Sequence, residues 1–68
     1  MKTITLRETY IKLGQALKAA GLVSDGVEAK LVIQDGHVQV NGSVETRRGK
    51  KLISGDEVTY QGETIQIR

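Results

Sequence analysis

The sequence has no cysteine, proline, tryptophan or phenylalanine, two tyrosines and one histidine. Without cysteine there can be no disulfide framework, which fits a reducing compartment. One histidine and no cysteine cannot close a structural zinc site, so neither metal nor cofactor is expected. Apolar runs stop at three residues, too short for a membrane-spanning helix. The N-terminal stretch Met1 to Glu8 has no apolar core of the kind a signal peptide needs. A cytoplasmic chain that avoids membranes is the expectation.

With 68 residues the chain is expected to form one domain, residues 1–68, with a thin core. A domain near that size buries only about 60% of its unfolded surface. Charged residues make up 26% and hydrophobic residues 38%, a globular balance rather than a disordered one.

Eight glycines punctuate short elements. Alternation over residues 3–7 suggests a strand. A helix is expected over about 9–20, with Tyr10, Leu13, Leu17 and Ala20 on one face and Lys12, Gln15 and Lys18 on the other. Ile11 falls on the polar side without an obvious partner, and Gly21 is placed to end the helix. A second helix is expected over about 25–35, opened by Asp25 with Glu28 three residues on, and closed by Gly36. Ala29, Val32 and Ile33 form its main apolar face. Val27 and Leu31 form another, which suggests a helix sandwiched between neighbours.

Beyond residue 37 the pattern is strand-like. Val38 and Val40 alternate with polar residues and lead into Asn41-Gly42. A three-residue loop, Asn41-Gly42-Ser43, would keep Val38, Val40 and Val44 on one face and is preferred over a two-residue loop. Gly55-Asp56 and Gln61-Gly62 mark further turns, the latter pairing Val58 with Ile65. The expected fold is α+β: two helices on a small, mostly antiparallel sheet with a short N-terminal strand.

No catalytic constellation emerges. His37 sits just after a helix end, where a lone histidine is ordinarily a turn residue. Asp56 and Glu57 are strand neighbours that point apart, and Asp56 after glycine is a turn former. Gly42 and Gly49-Lys50-Lys51 have the wrong spacing for a phosphate loop and lack its Ser/Thr. Asn41-Gly42-Ser43 fits a glycosylation sequon, but without a secretory signal the turn reading prevails. No enzyme activity is expected.

Charge is what calls for a partner. The net charge is +2, but Arg47, Arg48, Lys50 and Lys51 place four cations within five residues. By default such a run is a solvated loop. Against that default stand the mutual repulsion that an anion would relieve and a central glycine that admits close approach of a phosphate, and from composition alone both readings stay open. Lys12, Lys18 and Lys30 would extend that surface if they share its side. With Tyr10 expected in the core and Tyr60 in the sheet, no aromatic platform for single-stranded bases is expected. Phosphate tracking on a folded nucleic acid suits such a surface.

Lys12-Leu13, Leu17, Gly21-Leu22, Ser24, Glu28-Ala29-Lys30, Ile33, Gly36, Val38, Val40-Asn41-Gly42 and Gly55-Asp56-x-Val58 occur in an order that resembles the αL RNA-binding domain. That module was first recognised in the ribosomal protein S-four and is found in pseudouridine synthases and some heat-shock RNA-binding proteins. The extra N-terminal strand and the stretch Glu45 to Leu52 resemble its small stand-alone YaaA/YbcJ-like bacterial subfamily. The resemblance implies a non-catalytic module that binds structured RNA, often ribosomal RNA, with a role in ribosome assembly or maturation. Lys12 stands where the family often has the arginine of an Arg-Leu-Asp motif, and Lys30 where it often has arginine after Glu-Ala. Gly14 replaces the usual aspartate. Gly26 stands where many members carry an arginine, which removes one expected phosphate contact.

The expected RNA-binding residues are therefore Lys12, Lys18, Lys30, Arg47, Arg48, Lys50 and Lys51, on a monomer whose partner is structured RNA rather than duplex DNA. The rival reading is a protein-interaction module that docks an acidic partner on its sheet edge or basic loop.

Overall fold

The computed structural model describes residues 1–68. Its elements are β1 (Lys2–Ile4), β2 (Ile11–Lys12), α1 (Leu13–Ala19), α2 (Gly26–Gln34), β3 (Val38–Val40), β4 (Ser43–Val44), β5 (Lys51–Leu52), β6 (Glu57–Tyr60) and β7 (Glu63–Ile67). Five strands form one sheet in the order β1-β7-β6-β3-β4, and β2 with β5 forms a separate two-stranded ribbon. Only β1 runs parallel to its neighbour; the other pairs are antiparallel. The expected α+β architecture is present.

The sheet keeps a strict two-faced alternation. Val38, Val40, Val58, Tyr60, Ile65 and Ile67 turn inward and are buried. Gln39, Glu57, Thr59, Thr64 and Gln66 occupy the intervening positions on the outer face. Leu13, Ala16 and Leu17 of α1, Ala29 and Ile33 of α2 and Leu52 of β5, all fully buried, complete the core together with the buried Val23 between the helices. No helix is long and apolar enough to cross a membrane.

Local signals produced the second helix as expected. Asp25 has extended backbone, and its Oδ1 accepts the Glu28 amide at 2.8 Å. Glu28 Oε1 in turn accepts the Ser24 amide at 2.6 Å, so two otherwise orphan donors are satisfied. The helix is not sandwiched, however. Val27 is 68% exposed, Leu31 is exposed as well, and the core takes only the Ala29–Ile33 side.

The first helix starts later than its periodicity suggests. Ile11 pairs with Leu52 and Lys12 with Lys51, which holds residues 11–12 extended. The Leu13 amide then donates to the Lys50 carbonyl at 2.8 Å, and the Gly14 amide to the Arg48 carbonyl at 3.1 Å. Strand pairing thus replaces helix geometry at residues 11–12, and loop carbonyls accept the first two amides of α1. Tyr10 consequently leaves the core and is 38% exposed, whereas Ile11, unpartnered on a helical wheel, packs against the core from β2. The first strand likewise lies at Lys2–Ile4 rather than over 3–7.

The β3–β4 hairpin has a two-residue loop, not three. Val40 pairs with Ser43 and Gln39 with Val44. Asn41 and Gly42 sit at φ +52° and +84°, the left-handed pair of a type I′ turn. That turn is also tied down from outside. Asn41 Nδ2 donates to Asp56 Oδ1 at 3.0 Å, and Asn41 Oδ1 accepts the Glu57 amide at 2.9 Å. Asp56 Oδ2 accepts the Ile53 amide at 2.9 Å, so Asp56 serves the turn as expected. Val44 is left exposed on the outer face. In the β6–β7 hairpin, Val58 faces Ile65 as expected.

Candidate functional site

The loop of residues 45–50 lies across the start of α1, held there by the two carbonyl bonds at Leu13 and Gly14. Its cations are therefore carried on a fixed frame. Gly14 makes this approach possible. A Cβ built there would come within 2.8 Å of Arg48 Cγ, closer than real contacts allow. The glycine that replaces the family's usual aspartate is thus the surface on which the Arg48 side chain rests.

Arg48 lines a shallow groove of about 310 Å³ together with Lys12, Lys18, Gln15 and Gly49. Its remaining wall consists of small residues, Gly14, Gly26 and Ala29, and no acid lines it. Lys12 reaches it from the end of β2 and Lys18 from the last turn of α1. Gly26 opens α2 at the same place. A Cβ built at Gly26 would meet nothing within 4 Å, so this position, where the resemblance implies arginine in many members, adds no side chain beside the groove.

The other loop cations take separate positions. Arg47, Lys50 and Lys51, with Gly49, line a second shallow cleft. Arg47 is clamped by Glu45. Its Nε donates to Glu45 Oε2 at 3.0 Å, its Nη2 to Oε1 at 3.1 Å, and its amide to Oε2 at 3.0 Å. Lys51 Nζ stands 4.9 Å from the centroid of the Tyr10 ring, a cation–π contact. Lys30 is exposed on α2 and lines neither cleft. Of the seven expected residues, the structure gathers Lys12, Lys18 and Arg48 at one groove and Arg47, Lys50 and Lys51 at the next. Gly14, Gly26 and Ala29 escape a search for charge because their contribution is space.

The bidentate Arg47 contact holds the Glu45 carboxyl at about 2, against an ordinary 4.5, and raises Arg47 above its usual value. A carboxyl lowered on folding adds stability above its ordinary range and loses that contribution as pH falls through about 2. The clamp therefore stays closed at any pH near neutrality. Glu45→Gln removes it and releases a cation into the loop. The expected result is a roughly 2- to 5-fold tighter grip on a polyanion, with a salt dependence steeper by about one phosphate contact. Titrating both chains against the same RNA at several salt concentrations checks this.

Residues 4–68 match the model of the family described as S4 domain. The chain is 35% identical to YbcJ of Escherichia coli strain K12, over 98% of this chain and 97% of that protein. It is 39% identical to RlbA of Bacillus subtilis strain 168, named a probable ribosome maturation protein, over 87% of this chain and 83% of RlbA. A match to the tyrosine–tRNA ligase of Burkholderia lata, at 34% identity, covers 90% of this chain but only 15% of the ligase. The solution structure of Escherichia coli YbcJ, described as revealing an αL motif involved in RNA binding, aligns with a TM-score of 0.75. That alignment covers 98% of this chain and 86% of the YbcJ chain.

Proposed function

The chain belongs to the S4 domain family, and from that premise we propose that it binds structured RNA through phosphate contacts and catalyses nothing itself. The observation that carries this reading is the groove where Lys12, Lys18 and Arg48 converge on a wall of glycine and alanine. Cations alone would attract any polyanion. Gly26 and Gly49, which carry no side chain beside them, leave room for a rigid sugar-phosphate backbone at the protein surface. Lys50 and Lys51 extend the positive track past Gly49, and Arg47 joins it when a phosphate displaces Glu45. Lys30, one residue beyond Ala29, contributes from the side.

YbcJ is named for RNA binding and RlbA for ribosome maturation. On that ground we propose ribosomal RNA as the partner and ribosome maturation as the process, and we propose that the chain acts as a cytoplasmic monomer. Docking of a protein by strand addition has less to hold it, because the edge strands β4 and β1 are only two and three residues long.

The test is a nuclear magnetic resonance titration of the labelled chain with a folded ribosomal RNA fragment. The Gly14, Lys18, Gly26 and Gly49 amides are expected to move together, while those of the outer sheet face, such as Thr59 and Gln66, stay put. Shifts confined to the β4 edge would replace this reading with the protein-docking one.

A further inference from the structure

We propose that a third cleft, between the N-terminal segment and α1, receives one unpaired nucleobase of the bound RNA, stacked on Tyr10. The proposal rests on the RNA-binding reading above and adds a base-reading site to a phosphate-tracking surface.

The cleft has a volume of about 620 Å³, within the range of about 300–1,000 Å³ typical of small-molecule sites. Ile4, Leu6, Ile11 and Ala19 give it an apolar wall. Thr5, Arg7 and Glu8 add donors and acceptors suited to the polar edge of a heterocycle. Tyr10 lines it too. The chain has two aromatic side chains; Tyr60 is buried at 7% exposure, whereas Tyr10 remains 38% exposed. An exposed ring beside an apolar wall suits a flat ligand with polar edges. Lys51, with its Nζ 4.9 Å from the centroid of that ring, does not itself line the cleft.

What selects a base of the RNA as occupant is continuity. Lys12 and Gln15 line both this cleft and the phosphate groove. A phosphate held at Lys12 would bring its own nucleotide to the mouth of the cleft. A paired base cannot leave its stack at low cost, but a bulged one can turn out and stack on an aromatic ring. Affinity for an RNA with an unpaired base at the contact should therefore exceed affinity for a fully paired one.

The probes are two RNA hairpins of equal length, one fully paired and one with a single bulged 2-aminopurine. Each is titrated with the intact chain and with Tyr10→Ala and Tyr10→Phe. The intact chain should bind the bulged hairpin about tenfold more tightly, toward the low end of what stacking one base contributes, and quench its fluorescence. Tyr10→Ala should lose both effects, binding the bulged and the paired hairpin alike. Tyr10→Phe, which keeps the ring, should retain both effects. Equal binding of both hairpins by the intact chain, with the fluorescence unquenched, would overturn the base site and leave the cleft to a peptide. A bulge preference that survives Tyr10→Ala would also overturn it. Failure to bind either hairpin would overturn the RNA-binding reading itself.

Discussion

Neutralising Lys18 and Arg48 together, as Lys18→Gln and Arg48→Gln, is expected to weaken binding to folded RNA by about 30-fold at moderate salt. Each cation removed from a polyanionic surface forfeits roughly 1 kcal/mol, and about 1.4 kcal/mol is a factor of ten. Reversing both charges should cost more, because repulsion then replaces attraction. The melt should hardly move. Both side chains are exposed, and Arg48 fixes the loop through its backbone carbonyl rather than its guanidinium. Changes at exposed positions without special partners ordinarily stay within about 0.5 kcal/mol. The same neutralisation at Arg47 should cost far less, since Glu45 already compensates that charge. The predicted order, with Arg48 well above Arg47, separates a built site from a charged loop. Filter binding or fluorescence anisotropy on the single and double variants measures it. Equal losses at Arg47 and Arg48 would mean that only the total charge matters.

Truncating Ile65 to alanine is expected to bring the chain close to unfolding at 37 °C. Ile65 is fully buried at the centre of β7, paired with Val58 on one side and Lys2 on the other. Such a truncation costs about 2–5 kcal/mol in lost transfer and an unfilled cavity. A core of this size seldom supplies more than about 3–5 kcal/mol in total. No disulfide is available to hold the remainder together. The melting midpoint should fall by at least about 10 °C, at about 4–8 °C per kcal/mol for a domain of this length. Val44→Thr provides the contrast. Val44 is 57% exposed on the outer face, so its melt should match the parent chain. A large loss at Val44 would restore the three-residue loop and the burial it implies. Calorimetry or circular dichroism on the two variants decides between these outcomes.

Where a signal was local, the fold was legible in the residues. Asp25 and Glu28 marked the start of α2, and the Gln61-Gly62 turn set the register of Val58 on Ile65. Where the cause was distant, it was not. The helical period of Tyr10, Leu13 and Leu17 is real, but a pairing with residues 51–52, some forty positions along the chain, holds residues 11–12 extended. That one contact moved Tyr10 from the expected core to the surface and gave the molecule an exposed aromatic ring. At Asn41-Gly42, parity favoured burying Val44. The type I′ turn and the Asn41 bonds to Asp56 and Glu57 outweighed the burial of one valine at a sheet edge.

The candidate site divided the same way. Its cations were legible as a run, but not their partition. Glu45 and Arg47 stand two residues apart, and in an extended segment such residues share a side. That spacing was the available sign that Arg47 carries its own counter-charge. The groove's small residues carried no such sign. Gly14 and Gly26 stood out only as departures from a family pattern, and only the approach of Arg48 to Gly14 gives the first a physical meaning.

One titration bears on this account before any other. The purified chain is measured against a folded ribosomal RNA fragment, an unstructured single strand of equal length and a DNA duplex, each over a range of salt concentrations. If four to six phosphates are neutralised, the logarithm of affinity should fall against log salt with a slope of order −3 to −5 for the folded RNA. Folded RNA should be clearly preferred at physiological salt. Equal and weak binding to all three, vanishing at that salt, would contradict the account and reduce the groove of Lys12, Lys18 and Arg48 to a solvated surface.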